Sequence, residues 1–145
     1  MLFRSTERVG QRARDLGMSE DDVVTAILHD TIEDTGVTVG LLSALFNDTV
    51  ATGVWWLSDI ATKADGNRRA RVAKNIQHIA QAPFNIKTIK LIDIDDNLKD
   101  IQVNDPNFAK VYFREKAAAL EVLRDGDAVM VESVQRTLNN FFRKG

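Results

Sequence analysis

Ala26-Ile27-Leu28-His29-Asp30-Thr31-Ile32-Glu33-Asp34-Thr35 is the segment from which the rest of this chain is best understood. An apolar run, Val23 to Leu28, leads into a knot of ligand-type side chains. On a helix, residues three and four apart share a face. His29 would then stand above Glu33, and Asp30 above both Glu33 and Asp34. One imidazole and three carboxylates gathered on a core helix are costly to bury without a compensating cation. A divalent metal would supply that compensation, and imidazole with carboxylate is a normal ligand set for one. The plain alternative is an acidic helix end facing solvent.

Working outward, apolar residues recur at spacings of three and four along most of the chain, and only two prolines interrupt it. That pattern predicts an all-α fold of about seven helices. The 145 residues fit one domain, 1–145, and 44% hydrophobic content suffices for a sizeable core. A net charge of −2 gives no general electrostatic case for binding nucleic acid or an anionic membrane. No apolar run reaches the length of a membrane span, and Met1-Leu2-Phe3-Arg4 lacks the apolar core of a signal peptide. The chain has no cysteine, hence no disulfide or thiolate site, which is compatible with a reducing cytoplasm.

The predicted order is a charged helix over 4–16, closed by Gly17, then a helix capped by Ser19 that runs into His29-Asp30 and ends at Thr35-Gly36. Thr38 caps a short helix over 39–46, and Asn47-Asp48-Thr49 opens another. That helix has Val50, Val54, Trp55, Leu57 and Ile60 as core candidates, with Trp56 at the core or an interface. A polar turn at 63–67 precedes a basic helix reaching Ala80. The helix over 86–103 carries an apolar stripe, Leu91, Ile94, Leu98 and Ile101, and a polar one, Asp93, Asp96, Asn97 and Asp100. Asp105-Pro106 separates it from a helix over 108–123, with Val111, Tyr112, Ala119 and Val122 available for packing. A turn at 124–127 leads to the last helix, 128–142. His78 reads as a structural histidine with a hydrogen-bond partner.

Leu28 to Thr35 resembles the signature of HD-domain phosphohydrolases, in the SpoT/Rel-type alarmone hydrolase branch. Lys87-Thr88-Ile89-Lys90-Leu91-Ile92-Asp93-Ile94-Asp95-Asp96-Asn97-Leu98 resembles that branch's second motif. Asn67 to Ala82 resembles the arginine-rich helix ending in His-Ala of its small stand-alone members. The resemblance implies a divalent ion, Mn²⁺ by preference, held by His29, Asp30 and Asp93. It implies Glu33 and Asp34 as the catalytic acidic pair and Asn97 as a residue near a bound nucleotide. The implied reaction is hydrolysis of the 3′-pyrophosphate of ppGpp or pppGpp. Arg68, Arg69, Arg71, Lys74 and Lys63 are candidates to neutralise the polyphosphate; a solvated basic helix face is the competing account of each.

The chain departs from the pattern at one ligand. The family's first histidine would fall near Ser5, just before Val9, and neither His29 nor His78 occupies that place. The long helix expected ahead of it is also missing. Three accounts remain: a start that omits that helix, a site completed by Ser5, Thr6 or water, or a non-catalytic HD-fold module for nucleotide binding or helix-mediated homo-oligomeric assembly.

Overall fold

The computed structural model describes the backbone of residues 2–29 and 37–144, and side chains over 7–29 and 37–144. Asp30, Glu33 and Asp34 lie outside the described residues, as do the side chains of Ser5 and Thr6. The described residues form eight α-helices and one 3₁₀ turn, with no strand among them. The all-α expectation holds, with one helix more than the seven expected.

The chain divides into two compact units, Met1–Asp59 and Ile60–Gly145. The first contains α1 (Leu2–Asp15), α2 (Glu20–Leu28), α3 (Val39–Leu45) and α4 (Asp48–Leu57). Gly17 ends α1 at φ +77°, where its N–H reaches the Arg14 carbonyl and the Met18 N–H reaches that of Ala13. A left-handed residue there is the ordinary device for closing a helix, and glycine takes it without strain. Hydroxyl and amide oxygens start the next three helices: Ser19 Oγ accepts from Asp22 N, Thr38 Oγ1 from Leu41 N, and Asn47 Oδ1 from Val50 N. Gly10 lets α1 approach α2 closely, since a Cβ there would lie 2.6 Å from Ile27 Cγ1. Leu42, Val50, Ala51 and Val54 form a core cluster, with Val24, Leu28 and Val37 packed on it.

The second unit contains the 3₁₀ turn Lys63–Asp65, α5 (Arg68–Ala80), α6 (Phe84–Asn104), α7 (Pro106–Leu123) and α8 (Ala128–Lys144). α6 packs against both α7 and α8. Its expected stripe is buried at Leu91, Ile94 and Leu98, but Ile86, Ile89 and Ile92 are buried as well. Two flanking helices therefore cover more than one face. The Phe113 and Phe141 rings stack with centroids 3.9 Å apart, joining α7 to α8.

Two expectations fail on exposure. Trp55 is 42% exposed, because Val54 and Leu57 hold the inner face of α4 and Trp55 falls beside it; Trp56 is half-buried, with the two rings 4.8 Å apart. Val111 is also 42% exposed, because Ala109 and Phe113 take the inward positions of α7.

The turn between α7 and α8 is fixed onto α6. Buried Lys87 donates through Nζ to both Asp125 oxygens, at 2.9 and 3.0 Å. Asp127 N donates to Thr88 Oγ1 at 3.0 Å. A Cβ on Gly126 would lie 2.7 Å from Leu91 Cδ1 and 3.2 Å from the Leu123 carbonyl oxygen. Gly126→Ala should therefore destabilise by about 1–3 kcal/mol in denaturant melts.

The Lys87 hydrogen bond also lowers the Asp125 pKa below its usual 3.8, against a smaller opposing effect of desolvation. A carboxyl depressed on folding stabilises above its unfolded pKa and loses that contribution as pH falls through the folded value. Stability should thus drop on acidification below about pH 4. Asp125→Asn should lower the melting midpoint at pH 7 and shrink the difference between pH 7 and pH 3, read from thermal melts at both.

Candidate functional site

Two motifs that the sequence singles out fall in different units. In the first, α2 buries Val23, Thr25 and Ala26. His29, three positions past Ala26, continues that inward face as the helix C-cap, in right-handed geometry at φ −59° and ψ −31°. Its side chain is buried, at 5% exposure, and Nδ1 lies 2.7 Å from the Ala26 carbonyl oxygen. A carbonyl only accepts, so Nδ1 carries the proton. In the neutral ring this leaves Nε2 as the lone-pair nitrogen, the same second hydrogen bond that orients metal-bound histidines.

In the second unit, Asp93 sits in the middle of α6 with its side chain 13% exposed. Asn97, one turn on, donates from Nδ2 to Asp93 Oδ1 at 3.2 Å. Lys90, one turn back, places Nζ 3.9 Å from Oδ2. The carboxylate is thus oriented from both sides along its own helix. Asn97, expected near a nucleotide, also has this local role. Lys90 belongs to the quoted motif but was assigned nothing; its spacing of three before Asp93 is the signal that could have marked it.

The basic residues divide between two faces of α5. Arg71, Lys74, Asn75 and His78 follow one another at spacings of three, one and three. Lys74 Nζ bonds Asp65 Oδ1 at 2.9 Å, and Asn75 Oδ1 accepts from the N–H groups of Ile60 and Ala61. The Thr62 N–H and then Lys74 hold the Asp65 carboxyl below its ordinary pKa. Arg71 Nε is buried and has no hydrogen-bond partner among the described residues. His78 is buried, as a structural histidine would be.

Arg68 and Arg69 belong to the other face. Arg68 donates from Nε and Nη2 to the two carboxylate oxygens of Glu115, at 2.7 and 2.9 Å, and its guanidinium lies 4.9 Å from the Phe108 ring centroid. Arg69 is exposed, as is Lys63 in the 3₁₀ turn. Phe113 is fully buried, and Tyr112 is half-buried beneath the Lys116 ammonium.

Among the described residues, no group of three or more His, Asp or Glu side chains is assembled into a metal cage. The expected set draws on Asp30, outside them. The two expected ligands that are described are of side-chain types that suit a divalent ion: a buried imidazole with Nδ1 on a carbonyl, and a carboxylate held by neighbours. Long-range ¹H–¹⁵N spectra of the neutral ring should show His29 as the Nδ1–H tautomer.

No protein-family model matches the chain. It is 28% identical over 119 residues to a guanosine-3′,5′-bis(diphosphate) 3′-pyrophosphohydrolase of Danio rerio, an alignment covering 79% of this chain and 64% of that protein. It is 33% identical over 87 residues to the Drosophila melanogaster protein of the same name, covering 60% of this chain and 47% of that one. The chain thus spans less than two thirds of the length of these relatives. A solved metazoan ortholog of SpoT, described as hydrolysing ppGpp, superposes with a TM-score of 0.83 at 25% identity, over 95% of this chain and 80% of that one. A Listeria monocytogenes protein has the same fold, with a TM-score of 0.80 at 21% identity over 96% and 94% of the two chains.

Proposed function

We propose that this chain belongs to the SpoT-like branch of the HD-domain family, and that it is a metal-dependent phosphohydrolase acting on a nucleotide 3′-pyrophosphate such as ppGpp; the relatives and the solved metazoan ortholog of SpoT support this reading. The reading takes residues 1–145 as one HD domain acting in the cytoplasm, where such nucleotides occur. The observation that supports it best is His29, buried with Nδ1–H on the Ala26 carbonyl and followed directly in sequence by the acidic run.

His29, Asp30 and Asp93 would hold the ion. Mn²⁺ suits this mixed set of imidazole and carboxylate. When bound, such an ion supplies Lewis acidity toward water and phosphoryl oxygen. Asn97 and Lys90 keep the Asp93 carboxylate in a fixed orientation. Glu33 would take the proton from the attacking water, with Asp34 positioning that water. The water oxygen bonds to the phosphorus next to the 3′-oxygen, the bond from that phosphorus to the 3′-oxygen breaks, and the 3′-oxygen takes up a proton. The products are GDP or GTP and pyrophosphate. Arg71, with its buried Nε lacking a partner among the described residues, is suited to accept phosphate charge.

One observation favours a second reading, a non-catalytic binding or assembly module. No histidine stands near Ser5, and a hydroxyl is a poorer ligand than imidazole for a first-row metal.

Incubation with Mn²⁺ and ppGpp should release pyrophosphate, and Asp30→Ala should cut that turnover at least about 100-fold. Asn97→Ala should weaken Mn²⁺ binding by about 10- to 100-fold in calorimetry, as loss of a ligand-orienting group does. Mn²⁺ binding without pyrophosphate release would favour the module. Absence of both would overturn the hydrolase.

A further inference from the structure

We propose that the groove between α5 and α7 is a binding site for a medium-chain carboxylate, an acyl chain bearing one anionic head. The groove encloses about 720 Å³, within the range of small-molecule sites. Its floor is apolar: Val72, Ala73 and Ile76 from α5, Val111 and Ala118 from α7. It offers a nucleobase no hydrogen-bonding edge there. Arg68, Arg69 and Arg114 line it, with a single carboxylate, Glu115. Glu115 already holds Arg68 through two bonds. Arg69 and Arg114 are left as guanidiniums without a carboxylate partner among the described residues, and a bidentate carboxylate is their natural complement.

Helix physics points the same way. Arg68 and Arg69 lie in the first turn of α5, which has no acidic residue. The positive end of the helix macrodipole disfavours cations there. An anion at that end would interact favourably with the Arg69 guanidinium and the helix terminus. From Arg69 to Ile76 the helix advances about 10 Å, close to the extended length of an octanoyl chain. The head would sit at Arg69 and Arg114, and the chain would cover Val72, Ile76 and the exposed Val111. This site uses the face of α5 opposite Arg71 and does not depend on the hydrolase reading.

Calorimetric titration with sodium octanoate should show saturable binding at one site per chain. Amide shifts should be concentrated in 68–76 and 111–118. Octanol and acetate, lacking the head and the chain respectively, should each bind at least tenfold more weakly. Arg69→Glu and Arg114→Glu, both at exposed positions, should each weaken octanoate at least tenfold; the milder Arg69→Gln gives the same test should Arg69→Glu melt early. The proposal is overturned by absence of saturable binding, by shifts centred elsewhere, by acetate or octanol matching octanoate, or by displacement of octanoate by ppGpp.

Discussion

The second unit depends on a helix with almost no solvent face over residues 86–98. Over 86–98, α6 buries Lys87, Thr88 and Asp95 among its apolar residues. A buried polar group costs about 1–3 kcal/mol if left unpaired, so each must be met by a neighbour, and those meetings position the flanking helices. Lys87 and Thr88 hold the turn that starts α8. Asp95, fully buried, accepts from Ser133 Oγ at 3.0 Å on α8 and lies 3.3 Å from Lys99 Nζ on its own helix. Asp93, two residues before Asp95, is oriented on a helix already fixed at both levels. Asp93 therefore sits on a helix whose buried polar groups are tied to α8 and to the turn before it.

α5 is under the opposite condition. Its arginines sit at the helix end where they stabilise least, and its polar side chains divide between two faces. One face anchors the chain at 60–65 through Asn75 and Lys74. The other carries the Glu115 pair and the groove. Residues that contradict local helix preference are expected where function sets the sequence. The clustering of Arg68, Arg69 and Arg71 in one turn is the clearest such contradiction among the described residues.

The helical class, the capping residues and the breaks at Gly17 and Asp105-Pro106 were legible because each depends on local chemistry. Ser19, Thr38 and Asn47 each make the cap bond their residue type predicts. What was not legible depends on neighbours. The polar stripe of α6 names Asp93, Asp96, Asn97 and Asp100 but omits Asp95, the one carboxylate fully inside, because its partner Ser133 is thirty-eight residues away. Trp55 and Val111 were read as core from hydrophobicity alone, yet smaller or better-placed neighbours took the inward positions. Arg68 and Arg71 looked equivalent in a basic segment. They fall on different faces of α5, and α7 provides Glu115 to Arg68. The motif Leu28 to Thr35 gave the candidate chemistry through side-chain type, and the His29 tautomer could not be read there, because it depends on the Ala26 carbonyl.

The helix that carries His29 has an uneven distribution of charge along its length. The first turn of α2 is acidic, with Glu20, Asp21 and Asp22 against its positive end, which is the stabilising arrangement. Its other end is the negative pole, and His29 is the capping residue there. Asp30, Glu33 and Asp34 follow in sequence, so the residues after that pole are acidic. Ordinary helix design would put Lys or Arg at that end. None occurs between Val23 and Leu57, so the sequence supplies no local countercharge.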